Sequence, residues 1–176
     1  MGIAMTLKDY LAQSDFSFEV IPHAKSHNSI QSAKLANVPA DCVAKSVILE
    51  DDDGYLMAIV PCSHHVKLGA LSRELHRKLR LASELELYDL FKDCELGAIP
   101  PLGSVYGIQT VVDEALMEKP EVYFEAGDHE ELIHVDGQAF RAMMAGAARG
   151  RFSQRISGRV GAMSNKEPLF DPGFEF

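Results

Sequence analysis

The chain has 176 residues, 47% hydrophobic and 24% charged, which suits one globular domain with a full core and excludes a disordered or fibrous chain. A net charge of -9 opposes nonspecific nucleic-acid binding, which draws on clustered lysine and arginine, and leaves room only for a local basic patch that binds one RNA end. Cys42, Cys62 and Cys94 contain no Cys-x-x-Cys pair, and there is neither a secretion leader nor a membrane-length apolar run, so a reduced, cytoplasmic protein without disulfides, zinc or a membrane span is expected.

In chain order, Thr6 is a plausible N-cap for a short helix with Leu7, Tyr10 and Leu11 on one face. Phe16 to Ile21 alternates apolar and polar residues and stops at Pro22, the pattern of a strand. His23 and His27 have His-x-x-x-His spacing but lie in a polar connection without the glutamate of a zinc-hydrolase helix, and they read as exposed histidines. A second helix begins at Asn28 or Ser29 and ends before Pro39. Two β-prone runs, Val43 to Leu49 and Tyr55 to Val60, then flank an acidic turn ending at Gly54, which predicts a β-hairpin. Lys45 lies inside its first strand. It either snorkels from a half-exposed strand or aims at an anionic ligand, because an unpaired buried ammonium is costly.

His64 and His65 are adjacent and therefore point in different directions, which argues against one shared metal ion. Leu68, Leu71, Leu75 and Leu79 predict a helix with a basic opposite face made of Arg73, Arg77, Lys78 and Arg80. Ser83 and Glu86 loosely suggest a capping box ahead of another short helix. Cys94 to Ser104 holds Gly97, Pro100, Pro101 and Gly103, which cannot share one regular element. It is a shaped loop, read either as a plain rigid turn or as a surface for recognition by main-chain groups. Tyr106 to Asp113 is a strand, and 122–135 reads as a hairpin with Gly127 to Glu130, His129 included, at its tip. Asp136 caps a final helix. From Arg149 to Phe176 periodicity fades, and this stretch is expected to be a tail that is either mobile or docked through Leu169, Phe170, Phe174 and Phe176.

The order of Val43-Ala-Lys-Ser-Val-Ile-Leu, the acidic turn, Gly97-Ala-Ile-Pro-Pro-Leu-Gly, Val111-Val-Asp-Glu-Ala-Leu and Glu125-Ala-Gly-Asp-His resembles the YbaK-like family of aminoacyl-tRNA deacylases, related to the editing insertion of bacterial prolyl-tRNA synthetase. The resemblance covers roughly residues 6–145 and implies a mixed α/β (α+β) fold, with a central, mainly antiparallel sheet flanked by helices. It divides the chain into an editing domain, 1–148, and a C-terminal tail, 149–176. It also implies hydrolysis of the ester between a wrong amino acid and the 3′ end of a tRNA, with no metal or cofactor. The partners would be the acceptor end of aminoacyl-tRNA and a synthetase, without DNA or membrane.

Carried over by position, the catalytic candidates are Lys45, Gly97 and His129, and the substrate-binding candidates are Ser29, Ser46, Ala98, Ile99, Pro101 and Gly127. Ser46 stands where some relatives have asparagine, and Asn28-Ser29 replaces a more usual threonine-rich helix start, so the accepted amino acid stays open. An aminoacyl ester is already activated. Its hydrolysis needs a placed water and a stabilised oxyanion more than a strong nucleophile. Lys45 would hold the substrate end, backbone N–H groups of the Gly97 loop would bind the carbonyl oxygen, and His129 would position groups or act as a base. A short chain without synthetase motifs suggests a free-standing hydrolase. The alternative is a non-catalytic module of the same fold that binds a tRNA end or a synthetase.

Overall fold

The computed structural model describes residues 2–157. In chain order the first half comprises α1 (Met5–Gln13), β1 (Glu19–Pro22), α2 (Ser29–Leu35), β2 (Val43–Asp51), β3 (Gly54–Pro61), β4 (His64–Val66), α3 (Leu68–Leu75) and β5 (Arg80–Leu81). The second half comprises α4 (Glu84–Leu90), β6 (Gln109–Asp113), α5 (Glu114–Met117), β7 (Glu121–Glu125), β8 (Glu131–Asp136), α6 (Gly137–Met143), β9 (Ala148–Gly150) and β10 (Ser153–Arg155). The main sheet runs β1-β8-β7-β2-β3-β6-β9, with β5 also paired to β2 and with β4 and β10 forming a small second sheet. The pairs β7-β2, β3-β6 and β6-β9 are parallel and the rest antiparallel. This is the mixed, mostly antiparallel α+β architecture that the resemblance implies.

The hairpin of β2 and β3 is the centre of this sheet, and its near-continuous apolar sequence reflects burial on both faces. On one face Ala44, Ile48, Met57 and Ile59 pack with Leu7 and Leu11 of α1, Leu87 of α4 and Phe140 of α6. On the other, Val47, Leu49, Leu56, Ala58 and Val60 pack with Leu71 of α3 and Phe152. Nearer the β1 side, Val43, Cys62, Tyr123 and Leu132 receive Ala33 of α2.

Several local expectations shift. The first helix starts two residues early, at Met5 with Ala4 in the cap position and no side-chain cap; the Thr6 N–H instead donates to Asp93 Oδ2 at 2.9 Å. The first strand is confined to Glu19–Pro22, where it pairs with β8. Helix α3 stops at Leu75 because His76 takes a left-handed turn, and Arg77 and Arg80 of the supposed basic face lie beyond it, paired with Asp51 and Glu50. A 3-10 turn over Gly103–Tyr106, closed by Gly107 in the left-handed region, delays the sixth strand to Gln109. Asn28 is the α2 cap, and Ser83 and Glu86 form a full capping box.

The first residues of the expected tail are sheet. β9 pairs with β6, β10 pairs with β4, and Phe152 between them is fully buried. A boundary at 148/149 therefore cuts through β9. Leu169, Phe170, Phe174 and Phe176 lie outside the described residues.

Asp113 fastens this end of the chain: one carboxylate oxygen accepts from the Ala115 N–H at 2.9 Å, capping α5, and the other from the Phe152 N–H at 3.0 Å. Replacing it removes a cap and leaves a buried amide unsatisfied. Asp113→Ala is expected to lower the unfolding free energy by about 2–4 kcal/mol, measured by urea denaturation with an unchanged m-value.

Candidate functional site

Three loops converge at one end of the sheet: 23–28 after β1, 91–99 after α4, and 126–130 between β7 and β8. Backbone bonds tie them together. The His23 and Ser26 N–H groups donate to the carbonyls of Glu130 and His129 at 2.8 and 3.0 Å, and the Glu95 N–H donates to the Gly127 carbonyl at 2.7 Å. Between them lies a cavity of about 480 Å³. It is lined by Lys25, Ser26 and His27 from the first loop, Tyr88, Phe91 and Lys92 around the end of α4, Cys94, Glu95 and Leu96, and His129.

The 126–130 loop has an unusual backbone. Gly127 has φ +119°, and a Cβ there would stand 2.8 Å from the Ala4 Cβ; its neighbour Ala126 accepts a hydrogen bond from the Ala4 N–H at 2.8 Å. His129, two residues on, is also left-handed, with φ +60°. This twist turns the imidazole inward. The sequence places His129 at a hairpin tip, where a histidine is ordinarily exposed, but its side chain is buried. Nε2 lies 2.5 Å from the Leu96 carbonyl oxygen, which can only accept, so Nε2 carries the proton. Nδ1 faces Glu125 Oε1 at 3.8 Å and the Ser26 hydroxyl at 3.5 Å. The ring thus braces one loop against the start of the Gly97 loop.

Glu125, at the end of β7, is only 1% exposed. Its Oε1 accepts from the Ser32 hydroxyl of α2 at 2.5 Å, and Ser32 is within 2.5 Å of the Ser26 hydroxyl. Ser26, Ser32, Glu125 and His129 therefore form one buried polar chain. Reasoning from sequence missed all but His129 of these, because serines in a loop and a helix and a glutamate on a strand show no joint spacing.

β2 carries two further candidates, Lys45 and Ser46, neither of which lines the cavity. Along the edge opposite β3 it pairs with β7 through Val43 and Ala44 and with β5 through Leu49 and Glu50, and between these pairings Ser46 and Val47 have no paired strand there among the described strands. One step past Ala44–Phe124 the parallel register brings Lys45 alongside Glu125. Alternation sends the Lys45 side chain to the face of Val43 and Val47, and Ser46 to the face of Ala44, Ile48 and Ile99. Lys45 is 2% exposed. It does not snorkel, and it is held within the protein beside an acidic residue.

The remaining candidates divide. Ser29, the first residue of α2, is buried near the polar chain. Gly97 takes φ +78°, and Ala98 and Ile99 are buried, Ile99 within the core. Pro101 lines a separate, smaller cleft against Met143 and Met144. A wider groove of about 570 Å³ between α1 and α6 touches none of the candidate residues. Cys94 lines the main cavity, but burial pushes its thiol up to about 12, which removes it as a nucleophile at neutral pH. His64, outside the site, bonds Ser153 Oγ at 2.9 Å. Among the described residues no three His, Cys, Asp or Glu side chains converge as metal ligands, and no helix is long and apolar enough to cross a membrane.

The sequence model of the aminoacyl-tRNA editing domain matches residues 23–143, which include all three loops and β2. No curated protein matches the sequence. Among solved structures, a candidate signal transduction protein from Marinobacter aquaeolei VT8 is similar over 84% of this chain, with 26% identity and a TM-score of 0.68, and the match spans 30% of that protein's length. A candidate trans-editing enzyme for prolyl-tRNA synthetase is similar over 85% of this chain and 95% of its own, with 20% identity and a TM-score of 0.74, a likeness of fold.

The close approach of Ala4 makes Gly127 the most sensitive backbone position of the site. Gly127→Ala combines a left-handed strain with a steric clash and is expected to cost about 1–3 kcal/mol in chemical denaturation, whereas Gly146→Ala, which meets open space, should change stability far less.

Proposed function

Because the chain belongs to the aminoacyl-tRNA editing domain family, we propose that it is a trans-acting deacylase that hydrolyses the ester of a mischarged aminoacyl-tRNA in the cavity between the three loops. The observation that carries this reading is the convergence there of His129 and Leu96, which opens the Gly97 loop, joined by the His129 Nε2–Leu96 carbonyl bond. Such an ester needs little chemical activation. Orientation, exclusion of bulk water and preorganised donors for the developing oxyanion supply most of what its hydrolysis requires.

In this proposal the oxyanion donors are main-chain N–H groups. The Ala98 N–H already donates to the Glu95 carbonyl at 3.1 Å, and Pro100 and Pro101 have no N–H, so the role falls to Gly97 and Ile99. His129 serves as a positioning residue, because its Nε2–H holds the Leu96 carbonyl and so fixes where the next amide points. Lys45 supplies positive charge beside the β2 edge, where the substrate end enters, and Glu125 keeps that buried charge balanced. Ser29 and Ser46 lie buried on opposite faces of the sheet, outside the cavity lining, and would act by supporting the residues that form it. A pocket of this kind discriminates by size only modestly for each methylene, which is the reason a second hydrolytic site is useful. The site would receive the acceptor end of the tRNA, delivered free or by a synthetase.

The test is a panel of tRNAs mischarged with Ala, Ser, Cys or Thr. The protein is expected to release the amino acid from at least one of them. Lys45→Met, which keeps the buried volume without the cation, should lower that rate by roughly 100-fold or more with folding verified by circular dichroism. If every member of the panel stays intact, hydrolysis is wrong and a non-catalytic tRNA-end or synthetase-binding module takes its place.

A further inference from the structure

The lip of the cavity has features that hydrolysis itself does not use. Tyr88 on α4 is 58% exposed although it lines the cavity, and Leu85, three residues earlier and so on the same helix side, is 74% exposed. Together they form an apolar platform facing solvent. Its mount is rigid: Leu87 and Phe91 are buried in the core, and the Ser83–Glu86 capping box fixes the start of the helix. The same helix carries exposed Glu84 and Asp89, and the cations near the platform come from the cavity lining. The cavity lining carries Lys25 and Lys92 against a single acid, Glu95, and Lys25 holds that acid at 2.6 Å. Lys92 therefore stands as an exposed cation next to an exposed aromatic ring.

We propose that this lip is a seat for the last nucleotide of a single-stranded RNA 3′ end, with the Tyr88 ring stacking on the base and the Lys92 ammonium contacting the phosphate. The inference rests on the proposed deacylase reading. An aminoacyl ester sits on the terminal ribose, so with the ester seated deep in the cavity the base and the 5′ phosphate of that nucleotide come within reach of its rim. An exposed aromatic flanked by a cation is the chemistry that takes a base without reading its sequence, since every base offers a π-face and every linkage a phosphate. A site of this kind accepts the common end of all tRNAs, and discrimination is left to the amino acid inside.

Two measurements on the full-length protein test this. The first is steady-state deacylation of the best substrate from the panel. Tyr88→Ala is expected to raise KM by roughly 5- to 150-fold with kcat nearly unchanged, and Tyr88→Phe, which keeps the ring, should restore the wild-type KM. Lys92→Gln should reduce the slope of log KM against log salt by about 0.7. The second is fluorescence anisotropy with a labelled single-stranded RNA ending in C-C-A, which needs no catalysis and should show the same Tyr88 dependence. An inactive wild type that still binds this RNA through Tyr88 removes the hydrolase reading and keeps the seat. An active wild type whose KM is indifferent to Tyr88→Ala overturns the seat alone and assigns the Leu85–Tyr88 platform to a protein partner. Wild-type protein that fails to bind the RNA and fails to deacylate overturns both.

Discussion

A carboxylate removed from water must be given partners, and Glu125 is the residue around which this end of the molecule is arranged. The Ser32 hydroxyl reaches it from α2, Ser26 bonds Ser32 from the preceding loop, and the His129 ring faces it from four residues further on. By strand register Lys45 comes alongside it from β2. Each of these groups belongs to a different segment, so gathering partners around Glu125 Oε1 fixes the relative placement of a helix, two loops and two strands, while Oε2 accepts no hydrogen bond among the described residues. The backbone takes positive φ at Gly127 and His129, in the loop from which the His129 ring reaches this centre.

The sheet provides the second half of the arrangement. β7 lies against β2 for only two residue pairs before its chain turns away into the 126–130 loop, and β5 does not meet β2 until Leu49. The step between them opens one edge of a strand whose side chains are otherwise buried on both faces. The bond from His129 Nε2 to the Leu96 carbonyl closes the arrangement by tying the Gly97 loop to the same centre.

What was legible in the sequence was local. The Asn28, Ser83 and Asp136 caps, the β2–β3 hairpin and the β7–β8 hairpin all follow from chemistry within a few residues, and all are present. What was not legible depends on distant partners. Ser32 and Glu125 are separated by 93 positions, Lys25 and Glu95 by 70, and Asp113 meets the Phe152 amide across 39. Burial of His129 could not be read from its polar loop, and that of Lys45 runs against its own charge although the strand around it is apolar. Ser46 shows the limit of positional transfer: it adjoins Lys45 in sequence, but strand alternation sends its side chain to the other face. The short strands at 148–155 lack periodicity because each spans only three residues, and pairing with β6 and β4 defines them.

The proposed site lies where the 126–130 loop meets the Gly97 loop, with Lys45 of β2 behind it. The direct measurement is amide chemical-shift mapping with a non-hydrolysable analogue of an aminoacylated 3′-terminal adenosine, in which an amide replaces the ester. Perturbations centred on Lys45, Ser46, Leu96 to Ile99 and Gly127 to His129 are the predicted result. Perturbations centred instead on the groove of Tyr10, Phe16 and Ala139, with the first set unmoved, would contradict it.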